Sequence, residues 1–325
     1  MRLKMVPNKT NFDFFGVSKI SIALSSAMII GTIIAFFTMG LNFGIDFRGG
    51  TMIMVETPEA VDVGEYRALL DNVVDGDVTV TELSDPVGTL TGEESNIIMV
   101  RIEQIGDDAA VQNDLIKAVK SALSNESEGI IFLQTESVGA KVSSELVKAG
   151  ILAIVLAVGA VLFYIWLRFE WQFSVGAVVA LVHDVFITIG IFTITQIEFN
   201  LTIIAAILTI VGYSLNDTVV VFDRVRENLR RYKTMELKDV LNKSINETLS
   251  RTVMTSVTTL IALITLYILG GDVIRGFTFA MIWGVIIGTY SSVFIASVIL
   301  LRLGVKRDWD KTDNAAGTQF SDIDA

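Results

Sequence analysis

LTIIAAILTIVGYSLNDTVVVF, residues 201–222, is the stretch that decides the fold of this chain. It is long enough to cross a bilayer as one helix, which takes ~20 residues. It contains an acid, Asp217, although a carboxylate inside a membrane helix costs about 2.5–3.5 kcal/mol on insertion scales. Thr209, Tyr213, Asn216 and Asp217 share one face of that helix. A polar face that ends in an acid indicates a path for protons or other ions.

The composition agrees with a protein that crosses the membrane several times. Of the 325 residues, 52% are hydrophobic, and cysteine is absent, which excludes disulfides and thiolate metal sites. The first apolar run is too long for a cleaved signal peptide, so we expect it to remain as a helix. The runs that are long and apolar enough to span are 20–41, 148–167, 173–195, 201–222, 251–270 and 277–301.

Lysine and arginine are distributed unevenly between the two sides of these spans. Of the 25 basic residues, 17 lie before the first span, after the second, after the fourth or after the last, all on one side. Because cytoplasmic loops carry the excess of basic residues, this side is predicted to be the cytoplasm. The terminal segments 1–19 and 302–325 are then both cytoplasmic, and the segment 42–147 lies on the opposite side.

The segment 42–147 has the pattern of one compact α/β domain. We predict strands at 48–57, 78–83, 96–103 and 129–135, and helices at 61–74 and 107–123. The order βαββαβ is the split βαβ arrangement of ferredoxin-like domains. We therefore expect a polytopic α-helical membrane protein with six transmembrane helices and one extracytoplasmic α+β ferredoxin-like domain.

The sequence argues against an enzyme and against nucleic-acid binding. Its one histidine, His183, is in a membrane span, so the α/β domain cannot hold a histidine-based triad or zinc cluster. The chain has no Walker loop and no GxGxxG. We expect no cofactor and no metal, with protons as the coupling ion.

The segment 223–250 between the fourth and fifth spans is predicted to form one or two amphipathic helices on the cytoplasmic side. It is either a docking surface for a protein partner, a basic anchor on anionic membrane lipid, or a solvated connector that follows the positive-inside bias.

Arg251 begins the predicted fifth span, and Thr255 and Thr258 follow on its face. A row of hydroxyl groups below a cation can hold water, but interfacial arginines and threonines bonded to their own backbone give the same pattern. Asp217 lies near the same end of its span, and a neighbouring arginine favours the ionised acid while desolvation favours the protonated one. We therefore predict a proton path made by Asp217 and Arg251, with Asn216 and Tyr213.

Two further groups complete the candidate residues. His183 and Asp184 lie near the middle of the third span and form either a proton relay or a packed, hydrogen-bonded pair. The segment GIDFRGGT, residues 44–51, joins the first span to the α/β domain, and its glycines permit a sharp turn. Its motif residues are Gly44, Asp46, Gly49 and Gly50.

Four stretches together resemble the SecF family of the RND superfamily. They are GIDFRGGT after the first span, LVHDV in the third, VGYSLNDTVVVFDRVREN in the fourth and INETLSRTVMTSVTTL leading into the fifth. The resemblance covers nearly the whole chain. It implies a subunit of the bacterial inner membrane that pairs with SecD and uses the proton-motive force to promote late steps of preprotein export, with the large domain in the periplasm.

The resemblance also assigns roles and partners. It makes Asp217 and Arg251 the proton-path residues and places a second acid in SecD. The implied partners are SecD, the SecYEG channel, YajC and the unfolded preprotein, all within membrane lipid and with no nucleic acid. Two alternatives stay open: an RND-type small-molecule exporter, which would need to dimerise, and a scaffold subunit that conducts no protons.

Overall fold

The structure is a computed structural model that describes residues 10–59, 62–74, 76–83, 96–104, 109–127 and 129–305. The predicted terminal segments 1–19 and 302–325 lie only partly within these ranges. The connection between the strands predicted at 78–83 and 96–103 lies outside the described residues.

A long apolar helix, α1 (Ser18–Thr38), leads into an α/β domain. Its elements are α2 (Ile45–Arg48), β1 (Gly50–Thr57), α3 (Val63–Asp71), β2 (Val78–Leu83), β3 (Asn96–Ile102), α4 (Ala109–Glu126) and β4 (Ile131–Val138). The sheet order is β2–β3–β1–β4, and every neighbouring pair is antiparallel. This is the topology of the split βαβ unit, so the predicted fold class is confirmed for the domain.

The domain has its own hydrophobic core on one face of the sheet. Side chains alternate across a strand, so Ile53 and Val55 of β1 face the same way as Val100 of β3. They pack against Leu70 of α3 and Leu123 of α4, and all five side chains are fully buried. The two helices therefore cover one face of the sheet, and the other face is left for contact with the membrane-spanning part.

Five more spans follow the domain. They are α5 (Ala140–Arg168), α6 (Trp171–Thr195), α7 (Leu201–Arg231), α8 (Leu237–Leu269), and a sixth in which α9 (Asp272–Ser291) passes through one π-helical turn (Ser292–Ala296) into α10 (Ser297–Leu303). With α1, the described residues contain six helices long and apolar enough to cross a membrane. The central helices are α6, α7 and α9. The outer helices α1, α5 and α8 expose large apolar side chains, such as Phe37, Leu156 and Ile261, which suit lipid or another membrane protein.

The predicted connector 223–250 is part of two long helices. Helix α7 continues to Arg231, and α8 begins at Leu237, so only a short turn separates them. The apolar residues Val225 and Leu229 of α7 pack against Val240, Leu241 and Ile245 of α8. This packing stabilises the helices beyond their apolar segments, which is why Arg251 lies inside α8 and does not begin it.

Candidate functional site

Asp217 lies on α7 with a buried carboxyl group. Only 4% of the residue is exposed, and its Oδ2 atom has no hydrogen-bond partner among the described residues. A buried carboxyl oxygen normally finds a donor, because leaving it unpaired costs about 1–3 kcal/mol. The described residues therefore do not fix the charge state of the Asp217 carboxyl group through a hydrogen bond to Oδ2.

The structure separates the other polar residues of the predicted face. The Tyr213 hydroxyl donates to Thr259 Oγ1 of α8 at 3.4 Å, which is a long contact. Asn216 is exposed, while Asp217 is buried. Thr209 is also exposed, and its hydroxyl donates to the Ala205 carbonyl of its own helix. Tyr213 therefore links α7 to α8, and Asn216 points out of the bundle.

Arg251 is exposed on α8 and forms no ion pair with Asp217 within the described part of the chain. Its charge is still close enough to act on the Asp217 carboxyl group electrostatically. Thr255 donates to the Thr252 carbonyl at 2.9 Å, and Thr258 donates to the Met254 carbonyl at 2.8 Å. These threonines therefore satisfy their hydroxyls on their own helix, and their part in a proton path stays a prediction.

His183 and Asp184 belong to a buried hydrogen-bond network at the centre of the bundle. His183 Nδ1 lies 2.9 Å from Asp184 Oδ1. The hydroxyls of Ser214 on α7 and Ser291 on α9 donate to Asp184 Oδ2 at 2.6 Å and 2.7 Å. Asp184 is fully buried, yet both its oxygens have partners, in contrast to Asp217.

The same network reaches α1. His183 Nε2 lies 3.1 Å from Ser25 Oγ, which lies 2.9 Å from the Tyr290 hydroxyl. The Tyr290 hydroxyl donates to the Ser21 carbonyl at 2.7 Å. The network therefore joins helices α1, α6, α7 and α9 through polar side chains in an otherwise apolar bundle.

The segment 44–51 forms a joint between the α/β domain and the loop between α6 and α7. Asp46 Oδ2 accepts a hydrogen bond from the Leu201 amide at 2.9 Å, at the start of α7. Glu198 forms an ion pair with Arg101 of β3. Burial raises the pKa of Glu198, Arg101 opposes this rise, and the charge of Asp46 adds to it. A β-carbon on Gly44 would overlap the Glu198 carboxyl, so glycine permits the close approach.

Gly49 and Gly50 turn the chain from α2 into β1. Both have positive φ values, 81° and 130°, which favour glycine. A β-carbon on Gly50 would lie 2.4 Å from the Ile102 carbonyl oxygen, so the backbones of β1 and β3 approach as closely as glycine allows. The glycine pair is therefore required by the geometry of this joint.

Sequence reasoning missed the partners of the central pair and of the joint. Ser25, Ser214, Ser291 and Tyr290 come from three different helices, and a serine in an apolar run has no signal of its own. Arg101 and Glu198 are 97 positions apart. In the sequence, Glu198 is an acid in the short loop between two apolar runs, and this position does not point to Arg101.

Fold and site together define a class: a polytopic membrane protein whose bundle buries carboxyl groups beneath an attached α/β domain. The family described as protein export membrane protein SecD/SecF, C-terminal, matches residues 118–306, and the SecD/SecF GG motif matches residues 34–57. The chain belongs to the SecD/SecF family.

The similarity extends to individual relatives over the whole chain. The protein translocase subunit SecF of Cereibacter sphaeroides is 53% identical over 100% of this chain and 99% of its own length. SecF of Rhodobacter capsulatus is 51% identical over 96% of this chain and 95% of its own, and SecF of Rickettsia bellii is 41% identical over 94% and 97%. These relatives are named as parts of a transport system.

A solved structure shows the same architecture. The crystal structure of SecDF from Thermus thermophilus, described as a translocon-associated membrane protein, matches with a TM-score of 0.79 and 31% identity over 93% of this chain. A second crystal structure of SecDF, in a form called super-membrane-facing, matches with a TM-score of 0.67 and 32% identity over 97% of this chain. This chain spans about 40% of the length of those SecDF chains.

Proposed function

We propose that this chain is a SecF-type subunit that uses the proton-motive force to promote late steps of preprotein translocation across the bacterial inner membrane. The observation that carries the proposal is the buried Asp217 carboxyl group, whose Oδ2 atom has no hydrogen-bond partner among the described residues. A carboxyl group that no neighbour holds in one charge state can take up and release a proton when its surroundings change.

Arg251 is the residue that would change those surroundings. Its charge acts on Asp217 without a direct ion pair, so a small movement of α8 against α7 changes the balance between the charged and neutral acid. One charge that crosses 100 mV supplies about 2.3 kcal/mol, enough to shift a two-state arrangement more than tenfold. Proton uptake and release at Asp217 can therefore bias a conformational change with no bound nucleotide.

The proposed partners follow from the family. In this proposal a SecD subunit packs against the bundle and supplies the second acid of the proton path. The SecYEG channel, YajC and the unfolded preprotein complete the assembly. Both termini lie in the cytoplasm and the α/β domain in the periplasm, because the basic residues gather at the helix ends opposite that domain.

The test is preprotein translocation into vesicles that contain the Sec channel, SecD and this chain, with and without a proton gradient. Asp217→Asn removes the titrating group and keeps the shape, and we expect it to abolish the gradient-dependent part of translocation. The control is Asp239→Asn, which neutralises an exposed acid near the start of α8. Full gradient-dependent translocation by Asp217→Asn would contradict the proposal and favour a scaffold that conducts no protons.

A further inference from the structure

The hydrogen-bond network around His183 determines which ring nitrogens of His183 carry a hydrogen. A tyrosine or serine hydroxyl carries one hydrogen, and a carbonyl oxygen can only accept. Tyr290 gives its hydrogen to the Ser21 carbonyl. In the contact between Ser25 and Tyr290, the donor must therefore be Ser25. Ser25 then has no hydrogen left for His183, so His183 Nε2 must itself carry a hydrogen and donate it to Ser25.

The other ring nitrogen of His183 faces Asp184. Ser214 and Ser291 donate to Asp184 Oδ2, so the contact between His183 Nδ1 and Asp184 Oδ1 needs one hydrogen of its own. With Nε2 already protonated, that hydrogen makes either an imidazolium beside a carboxylate or a neutral imidazole beside a carboxylic acid. In both forms the pair carries one exchangeable proton and no net charge, which suits a fully buried position.

We propose that His183 and Asp184 form a second proton-holding site, in which one proton is shared between Nδ1 and Oδ1 while Nε2 donates to Ser25. The site is separate from Asp217, whose Oδ2 makes no hydrogen bond to any described residue. This inference concerns where a proton is held, so it stands independently of the proposed function in export.

Loss of the proton changes the contacts between helices. When the proton leaves, the Nε2–H bond breaks, the hydrogen shared with Asp184 remains on Nδ1, and Nε2 becomes an acceptor. The Ser25 hydroxyl then turns from Tyr290 to Nε2, so the hydrogen bond between α1 and α9 at Ser25 is lost. The occupancy of the site therefore changes one hydrogen bond between α1 and α9, while the bond from Tyr290 to the Ser21 carbonyl remains.

A pocket of about 400 Å³ lies beside His183 and Ser25 and reaches Arg302 of α10. Most of the side chains that line it are apolar, so the polar contacts of the pair are confined to the hydrogen-bond network. The titratable or charged groups near the pair are Tyr290 from α9, Arg302 from α10, and Asp217 one turn from Ser214 on α7. Ser21 and Ser25 are the polar contacts from α1, and neither is charged.

The single histidine of the chain makes the test direct. The full chain, labelled with ¹⁵N-histidine in lipid bilayers, reports whether each ring nitrogen of His183 is protonated. We expect a protonated Nε2 at pH 7. In Tyr290→Phe the Ser25 hydroxyl is free to donate to Nε2, and the ¹⁵N signal of Nε2 should shift to the unprotonated position at the same pH.

Tyr267→Phe is the matched control, because Tyr267 stacks near Phe279 away from this network, and its spectrum should equal that of the native chain. An unprotonated Nε2 in the native chain at pH 7 would overturn the proposal without reference to any variant. An Nε2 signal that is the same in Tyr290→Phe and the native chain from pH 5 to pH 9 would also overturn it. The ¹⁵N measurement on His183 uses no export assay, so a negative result with Asp217→Asn in translocation would not affect it.

Discussion

Substitution of two buried aspartates in neighbouring helices should change the free energy of unfolding by very different amounts. Asp184 accepts hydrogen bonds from Ser214 and Ser291 and contacts His183, whereas Asp217 has a carboxyl oxygen with no partner among the described residues. We predict that Asp184→Ala strongly destabilises the fold, whereas Asp217→Asn costs much less stability but abolishes the gradient-dependent part of translocation.

The magnitude follows from the contacts that each change breaks. In Asp184→Ala, Ser291 retains the Gly288 carbonyl at 3.2 Å as an alternative acceptor. The Ser214 hydroxyl and His183 Nδ1 lose their partner in a buried place. At about 1–3 kcal/mol for each unpaired buried group, the expected loss is ~4 kcal/mol. Asp217→Asn breaks no hydrogen bond to Oδ2 and leaves one buried polar group in place of another, so the expected change is about 1 kcal/mol.

The assay is the free energy of unfolding in lipid bicelles, measured by steric trapping, for both single variants and for Ser214→Ala. The double variant Asp184→Ala with Ser214→Ala removes the unpaired hydroxyl, so its loss should be smaller than the sum of the two single losses. Additive losses, or equal destabilisation by Asp184→Ala and Asp217→Asn, would refute the assignment of one paired and one unpaired carboxyl group.

Three further predictions concern the joint and the helix packing. Because burial raises the pKa of Glu198, the folded chain binds a proton there more readily than the unfolded chain, and this stability is lost as pH rises through the raised value. The thermal midpoint of the native chain should therefore fall relative to that of Glu198→Gln as the pH rises above the ordinary pKa of glutamate, and parallel curves would contradict this. Gly50→Ala should cost about 2–3 kcal/mol, because the φ of residue 50 is 130° and the added β-carbon would overlap the Ile102 carbonyl. The control is Gly31→Ala in α1, whose β-carbon would contact no other residue and which should be neutral in the same thermal melt. Gly284→Ala should cost about 1–3 kcal/mol, because the added carbon would lie 2.3 Å from the Ile210 side chain of α7. The control is Gly159→Ala in α5, where the added carbon has open space. Equal unfolding free energies for the two variants would show that α7 and α9 are not closely packed.

Much of the fold could be predicted because membrane spans and half-buried strands have strong periodic signals. Apolar length indicated all six spans, alternation indicated the strand at 78–83, and short apolar runs indicated the other three strands of the domain. The ends of α7 and α8 were predicted less well, since Val225, Leu229 and Val240 continue the packing beyond the apolar runs. Hydropathy detects burial in lipid, but not helices stabilised by packing on each other in water.

The candidate site, like the fold, could be predicted from the sequence only in part. Asp217, His183 and Asp184 could be found because ionisable residues are rare in membrane spans. The spacing that grouped Asn216 with Asp217 does not show which way a helix face turns, and Asn216 is exposed. The partners of Asp184 could not be found, because Ser214 and Ser291 lie 30 and 107 positions away and meet it through helix packing alone.

Helix α7 also has a mechanical consequence. Its first turn is fastened to the α/β domain by the bond between Asp46 and the Leu201 amide, and its 31 residues run without proline to Arg231. At 1.5 Å per residue this is a strut of about 46 Å, and Ser214 and Asp217 lie near its middle. A straight helix transmits a tilt along its whole length. A tilt that begins at Ser214 or Asp217 therefore moves the first turn of α7 and pulls on the α/β domain through the hydrogen bond between Asp46 and the Leu201 amide.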